Sequence, residues 1–223
     1  MAIGAPLQLG TASAASGSAS LALTTGADAP AGGLIIVAST ASNTNGPMSV
    51  TDSAGNAYAA AAVVNNGTGK SRLFWSFNAL DLPSGATITV TFAGTTPTKN
   101  IAAVSVSGCA APDIKGNGAT GSSTAPTMST GALGWTSEIV LGMTHVSAGA
   151  GDSFTEAGGF ASNSASLNAD ALRWAYQIVA SNAGVTYAPT LGTSRTWGVN
   201  TLTFSGAVAS PFNRSSRFGY LEM

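Results

Sequence analysis

Hydrophobic and polar positions alternate with a period of two along most of this chain, and clusters of Gly, Pro, Asn and Asp separate the alternating stretches. That is the pattern of strands joined by tight turns. In residues 20–25, Leu21 and Leu23 alternate with small or polar side chains. Residues 34–39 read as one apolar run, which predicts a strand covered on both faces. Residues 48–51 lead into Asp52-Ser53-Ala54-Gly55-Asn56, a turn sequence, with Ala57 onward as the returning arm. Residues 72–77 are rich in aromatics, residues 87–92 set Ile88, Val90 and Phe92 against threonines, and a further strand is expected at 101–106. Residues 168–180 look helical in composition, but Trp174, Tyr176 and Ile178 recur at spacing two and predict a strand. No long apolar stretch of period 3.6 carries caps at both ends, so the expected fold is all-β.

The order of these elements recurs about 100 residues later. Residues 33–38 match 138–142, and Leu73-Phe74-Trp75-Ser76-Phe77 matches Leu172-Arg173-Trp174-Ala175-Tyr176. Residues 84–90 answer 182–187, and 103–108 answer 200–206. Half-repeats of about 18–108 and 126–206 follow, joined by a Gly-, Ser- and Pro-rich crossover at 109–134. Two arrangements fit. Each half folds as its own small sandwich, or the halves interleave in one large jelly-roll-like β-sandwich spanning 1–206. The low charge favours the single sandwich, because neither half has many ions with which to coat a separate surface. Trp75 and Trp174 are expected as equivalent core anchors.

Composition narrows the function. Only 8% of the 223 residues are charged, against a usual ~25%. With 8 Lys and Arg, 9 Asp and Glu and a net charge of -1, the chain has little with which to neutralise phosphates, which argues against nucleic-acid binding. One Cys excludes an internal disulfide framework and a thiolate zinc cluster, and one His excludes multi-histidine metal sites. The first 25 residues carry no Lys or Arg. Ala12-Ser13-Ala14 resembles a cleavage site without the rest of a signal peptide. The most apolar run, residues 34–38, is far shorter than the ~20 residues of a membrane span. Synthesis in the cytoplasm with no membrane association is the expectation.

Candidate chemistry is sparse. His145 would need a partner to act as a base, and Glu138 falls on the opposite strand face by parity, so a structural histidine is expected. Cys109 has no neighbouring basic cluster to activate its thiol. Asp52 suits an Asx turn better than a calcium site, since the closing Glu of an EF-hand loop is missing. Asp152 and Glu156 would be ~13 Å apart on an extended strand, which argues against a glycosidase pair. Exposed tryptophans stack on sugars, which makes Trp135 and Trp197 candidate carbohydrate-binding residues. Residues 207–223 differ in character: Phe212, Arg214, Arg217, Phe218 and Tyr220 interleave aromatics with arginines, the residue types that anchor interfaces. They are expected to form an extended C-terminal arm that docks on a partner. No catalytic set, metal site or cofactor is expected.

Six stretches together carry a resemblance. They are Val-Thr-Asp-Ser-Ala-Gly-Asn with Tyr58 (50–58), the aromatic strand 73–77, the strand 84–92, Val-Ser-Val-Ser-Gly (104–108), Glu-Ile-Val-Leu-Gly (138–142) and Thr-Leu-Thr-Phe-Ser-Gly (201–206). Over about residues 18–206 the chain resembles a bacterial and phage family of duplicated β-sandwiches, found in tailed-phage virion structural proteins and in secreted surface proteins. Taken with the start without a signal peptide, the missing catalytic set, the low charge and the terminal arm, the resemblance implies a non-enzymatic virion protein, foremost a head decoration (cement) protein or a minor head or tail component. Its expected partners are capsid or tail subunits and further copies of itself. A carbohydrate-binding module of a phage tail or bacterial surface is the alternative.

Overall fold

The computed structural model describes residues 2–15, 17–42, 45–113, 118–167 and 170–206, the stretch 164–167 by its backbone alone. They form strands and no helix, in antiparallel sheets. One large sheet of six strands runs Leu7–Ala14, Lys99–Val106, Leu34–Ser42, Gly69–Phe77 and Ala59–Ala60, with Val64–Asn65 also on Gly69–Phe77. The other runs Cys109–Pro112, Arg195–Gly206, Glu138–Val146, Ala171–Val179 and Ala161–Leu167, with Gly118–Ser123 also on Arg195–Gly206. Residues 168–180, where composition suggested a helix, contain the strand Ala171–Val179, as the spacing of Trp174, Tyr176 and Ile178 predicts.

The two large sheets stack face to face. Leu34, Ile36, Leu73 and Val104 of one meet Ile139, Leu141, Trp174 and Phe204 of the other in a shared core. The first large sheet also covers a three-stranded outer sheet, Ser18–Thr24, Thr87–Thr96 and Pro47–Asp52, through Ile35, Val37, Phe74, Ile88 and Val90. Both faces of Leu34–Ser42 are therefore buried, which is why its sequence lacks alternation. The second large sheet covers two short ribbons, Met128–Ser129 with Thr186–Tyr187 and Phe154–Thr155 with Thr190–Leu191. The result is four layers.

Each described sheet draws its strands from one half of the chain: 7–106 or 109–206. The halves therefore stack and do not interleave, contrary to the single jelly-roll-like sandwich favoured above.

Strands matched by the repeat hold matching places. Lys99–Val106, Leu34–Ser42 and Gly69–Phe77 lie in the same order as Arg195–Gly206, Glu138–Val146 and Ala171–Val179. The match extends upstream of the expected boundaries at 18 and 126. Leu7–Ala14 edges the first sheet as Gly118–Ser123 edges the second. The crossover 109–134 is thus partly strand, since Cys109–Pro112, Gly118–Ser123 and Met128–Ser129 all pair. The outer layers differ for a local reason. Where the first half continues its strand through Val90, the second has Pro189, which has no N–H to give a ladder. The pairing breaks there into Thr186–Tyr187 and Thr190–Leu191.

The Asp52 turn ties the outer sheet to its neighbour. Asp52 Oδ1 accepts from the Ala54 and Asn56 backbone N–H groups, both at 3.0 Å, an Asx turn. Its Oδ2 accepts from Asn56 Nδ2 at 2.9 Å and from the Tyr58 hydroxyl at 2.8 Å. Asn56 Oδ1 in turn accepts from the Leu80 N–H at 2.6 Å. Burial first, then the hydrogen bond to Asp52 and its charge, hold the Tyr58 hydroxyl protonated far above its ordinary range. Asp52→Ala strips four bonds from this knot and is expected to cost about 2–3 kcal/mol, read as a lower urea midpoint at unchanged slope. An unchanged midpoint would remove the turn from the list of stabilising elements.

Candidate functional site

The shared core has two unlike ends. At one, the faces that meet are polar. Thr40, Ser71 and Asn100 of the first sheet oppose His145 and Asn200 of the second, all buried. Ser71 Oγ donates to Asn200 Oδ1 at 3.1 Å, and Asn100 Nδ2 donates to the Asp170 carbonyl at 3.1 Å. The His145 ring lies against Gly69, where any Cβ would collide with it. Neither ring nitrogen has a hydrogen-bond partner among the described residues. Burial pushes its pKa down to about 4. Burial thus keeps this histidine neutral near pH 7.

The opposite end is apolar and open. It is marked by Leu34, paired with Phe77 and Val106, and by Ile139, paired with Phe204 and Ile178. Ile3 plugs the core here, and its chain is pinned by the Gly4 N–H to the Ser107 carbonyl at 3.0 Å. A groove of about 220 Å³ opens beside it, walled by residues 29–35 and 105–108. Gly108 sits at its corner with φ of +77°, where a Cβ would strike the Ala2 carbonyl.

Exposed hydrophobic side chains collect around this end. Among the described residues seven large hydrophobics stand out in solvent, and five of them are here: Leu7, Phe77, Leu80, Trp135 and Ile178. Leu7 pairs with Ser105 of the groove wall, and Phe77 with Leu34. Leu80 follows Ala79, which exchanges backbone hydrogen bonds with Gly32 and Gly33. Ile178 continues the core-facing row Trp174, Tyr176 to the rim. Trp135 precedes Ser137, whose carbonyl accepts from the Gly206 N–H at 2.7 Å. Large exposed apolar clusters of this kind mark interaction sites.

The acidic side chains of this end are few but consistent. Asp28 and Asp81 flank the groove, carried by the Ala29–Leu82 bridge. Asp113 Oδ2 accepts from the Gly134 N–H at 3.0 Å, beside Trp135. Glu138 is buried, and its Oε1 accepts from the Trp135 N–H at 2.7 Å. Burial first, and the nearby negative charge of Asp113, raise its pKa against the pull of that N–H.

The sequence candidates fall in different places. Trp135 is 47% exposed. Trp197 is a core residue: it is 6% exposed, packs on Gly121 and donates from Nε1 to Ser123 Oγ at 3.1 Å, so it offers no face to a sugar. Phe212, Arg214, Arg217, Phe218 and Tyr220 lie outside the described residues. Asp152 is clamped by Arg195 at 2.7 and 3.0 Å, which holds its carboxyl below the usual range. Burial raises Glu156, against the opposing pull of Ser162, Tyr187 and Arg173. Each carboxylate thus has its own partners. Burial pushes the Cys109 thiol up to about 11, away from thiolate chemistry. No group of three or more His, Cys, Asp or Glu is placed to hold a metal among the described residues.

The exposed residues Leu7, Phe77 and Leu80 were not singled out from sequence. Phe77 carried a usable signal, being the next residue on the Leu73, Trp75 face as the strand runs out. Compared with known proteins, the chain matches no protein-family model and no curated protein.

Proposed function

We propose that this protein is a non-enzymatic structural component of a tailed-phage virion, in the first place a head decoration (cement) protein or a minor head or tail component. In this reading it joins capsid or tail subunits, and copies of itself, through the apolar end and the 207–223 segment. One observation carries the reading: Leu7, Phe77, Leu80, Trp135 and Ile178 cluster at the end where Gly206 hands the chain to a segment rich in aromatics and arginine. Matched strand order in the two large sheets supports a duplicated β-sandwich, in the form of two stacked sandwiches. A surface poor in ions supports close packing in an assembly, because few charges have to be desolvated.

The test is a chain ending at Gly206. Particle incorporation is expected to fall by at least tenfold, while circular dichroism and the urea midpoint stay those of the full chain. Incorporation of the truncated chain at the full-length level overturns the proposal. The alternative, a carbohydrate-binding module, draws support from the exposed Trp135 ring beside Asp113. It requires that the chain ending at Gly206 keep all of its binding.

A further inference from the structure

The charges of the chain are sorted along its strands. All five described basic residues, Lys70, Arg72, Lys99, Arg173 and Arg195, lie within the first four residues of their strands, toward the polar end. The apolar end carries Asp28, Asp52, Asp81, Asp113 and Glu138 and, among the described residues, no base. We propose that the apolar end is a docking surface for a protein of another kind, whose own docking face has an apolar centre ringed by Lys or Arg. This rests on the assembly reading and deepens it: among the partners named there, it selects a foreign subunit for this end.

The apolar centre is the first argument. Leu7, Phe77 and Leu80 come from the first half of the chain, Trp135 and Ile178 from the second, and all five are exposed. The surface therefore exists only because the two sandwiches stack. The groove of about 220 Å³ beside Ile3 adds a recess lined by Ala29, Pro30, Ala31, Leu34 and Val106. A partner's aliphatic or aromatic side chain can anchor in such a recess, with the exposed hydrophobics excluding water around it.

The rim is the second. Asp28 and Asp81 are exposed beside the groove, next to the paired residues Ala29 and Leu82. Asp113 is half-buried, with its Oδ2 on the Gly134 N–H next to Trp135. Glu138 is buried and Asp52 is tied into its turn, so the rim proper consists of Asp28, Asp81 and Asp113. Negative charge around the apolar centre repels anionic lipid headgroups and phosphate backbones. It favours a protein face carrying cations, and it sets the orientation in which that face docks.

The basic side chains of the described fold are the third, because most are already engaged. Arg195 is clamped on Asp152 at 2.7 and 3.0 Å. Arg72 donates to the Ala61 and Met48 carbonyls at 2.7 and 3.1 Å. Lys99 is buried, with Nζ donating to the Ser18 and Thr96 carbonyls. The Arg173 guanidinium lies over the Phe154 ring. The polar end of a second copy is therefore a poor complement to the acidic rim, and joining two apolar ends would set acid against acid.

The test titrates the isotope-labelled full chain with two short synthetic peptides, one alternating Phe with Arg and the other alternating Phe with Glu. The Phe–Arg peptide is expected to shift the resonances of Leu7, Leu80, Ile178 and the Trp135 indole at a concentration roughly fivefold or more below that of the Phe–Glu peptide. That preference is expected to shrink as salt takes the Debye length below about 8 Å. Asp81→Lys with Asp28→Asn is expected to abolish or invert it while circular dichroism stays unchanged. Leu80→Ser is expected to weaken both peptides. Equal affinities, a preference for the Phe–Glu peptide, shifts centred on another surface, or no response to either peptide each overturn the proposal. The same shifts on concentrating the protein alone identify a second copy as the occupant and also overturn it. The result is separable from the assembly test. A charge-selective response together with full incorporation of the chain ending at Gly206 retires the assembly reading and leaves the surface. No selectivity together with lost incorporation does the reverse.

Discussion

Trp174→Ala is expected to cost about 3–5 kcal/mol, and Trp75→Ala distinctly less, although the repeat makes the two residues equivalent. Trp174 is fully buried in the core between the halves, on a strand flanked along its length by Glu138–Val146 and Ala161–Leu167. Removing its indole opens a cavity that neighbours on both sheets cannot close without giving up their own contacts. Trp75 faces the same core and meets Phe204 edge-on at 6.1 Å. Its strand, however, is bordered on the outer side only by Ala59–Ala60 and Val64–Asn65. Trp75 is half-buried for that reason and leaves a smaller void. Urea unfolding followed by circular dichroism checks the pair. Equal losses for both variants would contradict the geometry of the edge.

Acid is expected to weaken the fold through His145 by about 3 kcal/mol between pH 7 and pH 4. The folded-state value near 4 lies below the ordinary 6.5 because the ring is buried between the sheets with no acceptor. Above pH 6.5 both states are neutral and pH has no leverage. As pH falls below 6.5 the unfolded chain takes up a proton that the folded chain refuses, so stability drops until about pH 4 and then levels. Three carboxyls act in the opposite sense. Burial raises Glu138, Glu156 and Asp170. The fold gains protons on them before the unfolded chain does, and acid favours it. His145→Leu separates the effects. Relative to the native chain, the variant is expected to gain about 3 kcal/mol on going from pH 7 to pH 4. Parallel stability profiles for the two proteins would remove His145 as the cause.

The local devices were legible because each is written in neighbouring residues. The Asx turn at Asp52 needs only an acceptor two positions before a free N–H. The strand at 171–179 follows from the spacing of Trp174, Tyr176 and Ile178. The interruption after Tyr187 went unread, although Pro189 marks it. The edge strands Leu7–Ala14 and Gly118–Ser123 escaped notice because small residues leave a weak alternation, and it is a neighbouring strand that makes such a segment extended.

By itself, then, the sequence determined the central strands, their turns and the doubling of their order, since these depend on side-chain direction along one segment. Tertiary structure alone decided which faces meet. Arg195–Gly206 is buried on both sides over most of its length, so parity could not say that Trp197 is enclosed while Trp135, in a loop, stays in solvent. Nor could it place His145 against Gly69, or bring Gly206, Ile3 and the groove to one end. Those outcomes depend on how two sheets from separate halves align when they stack, and that alignment is chosen by packing the whole shared core at once.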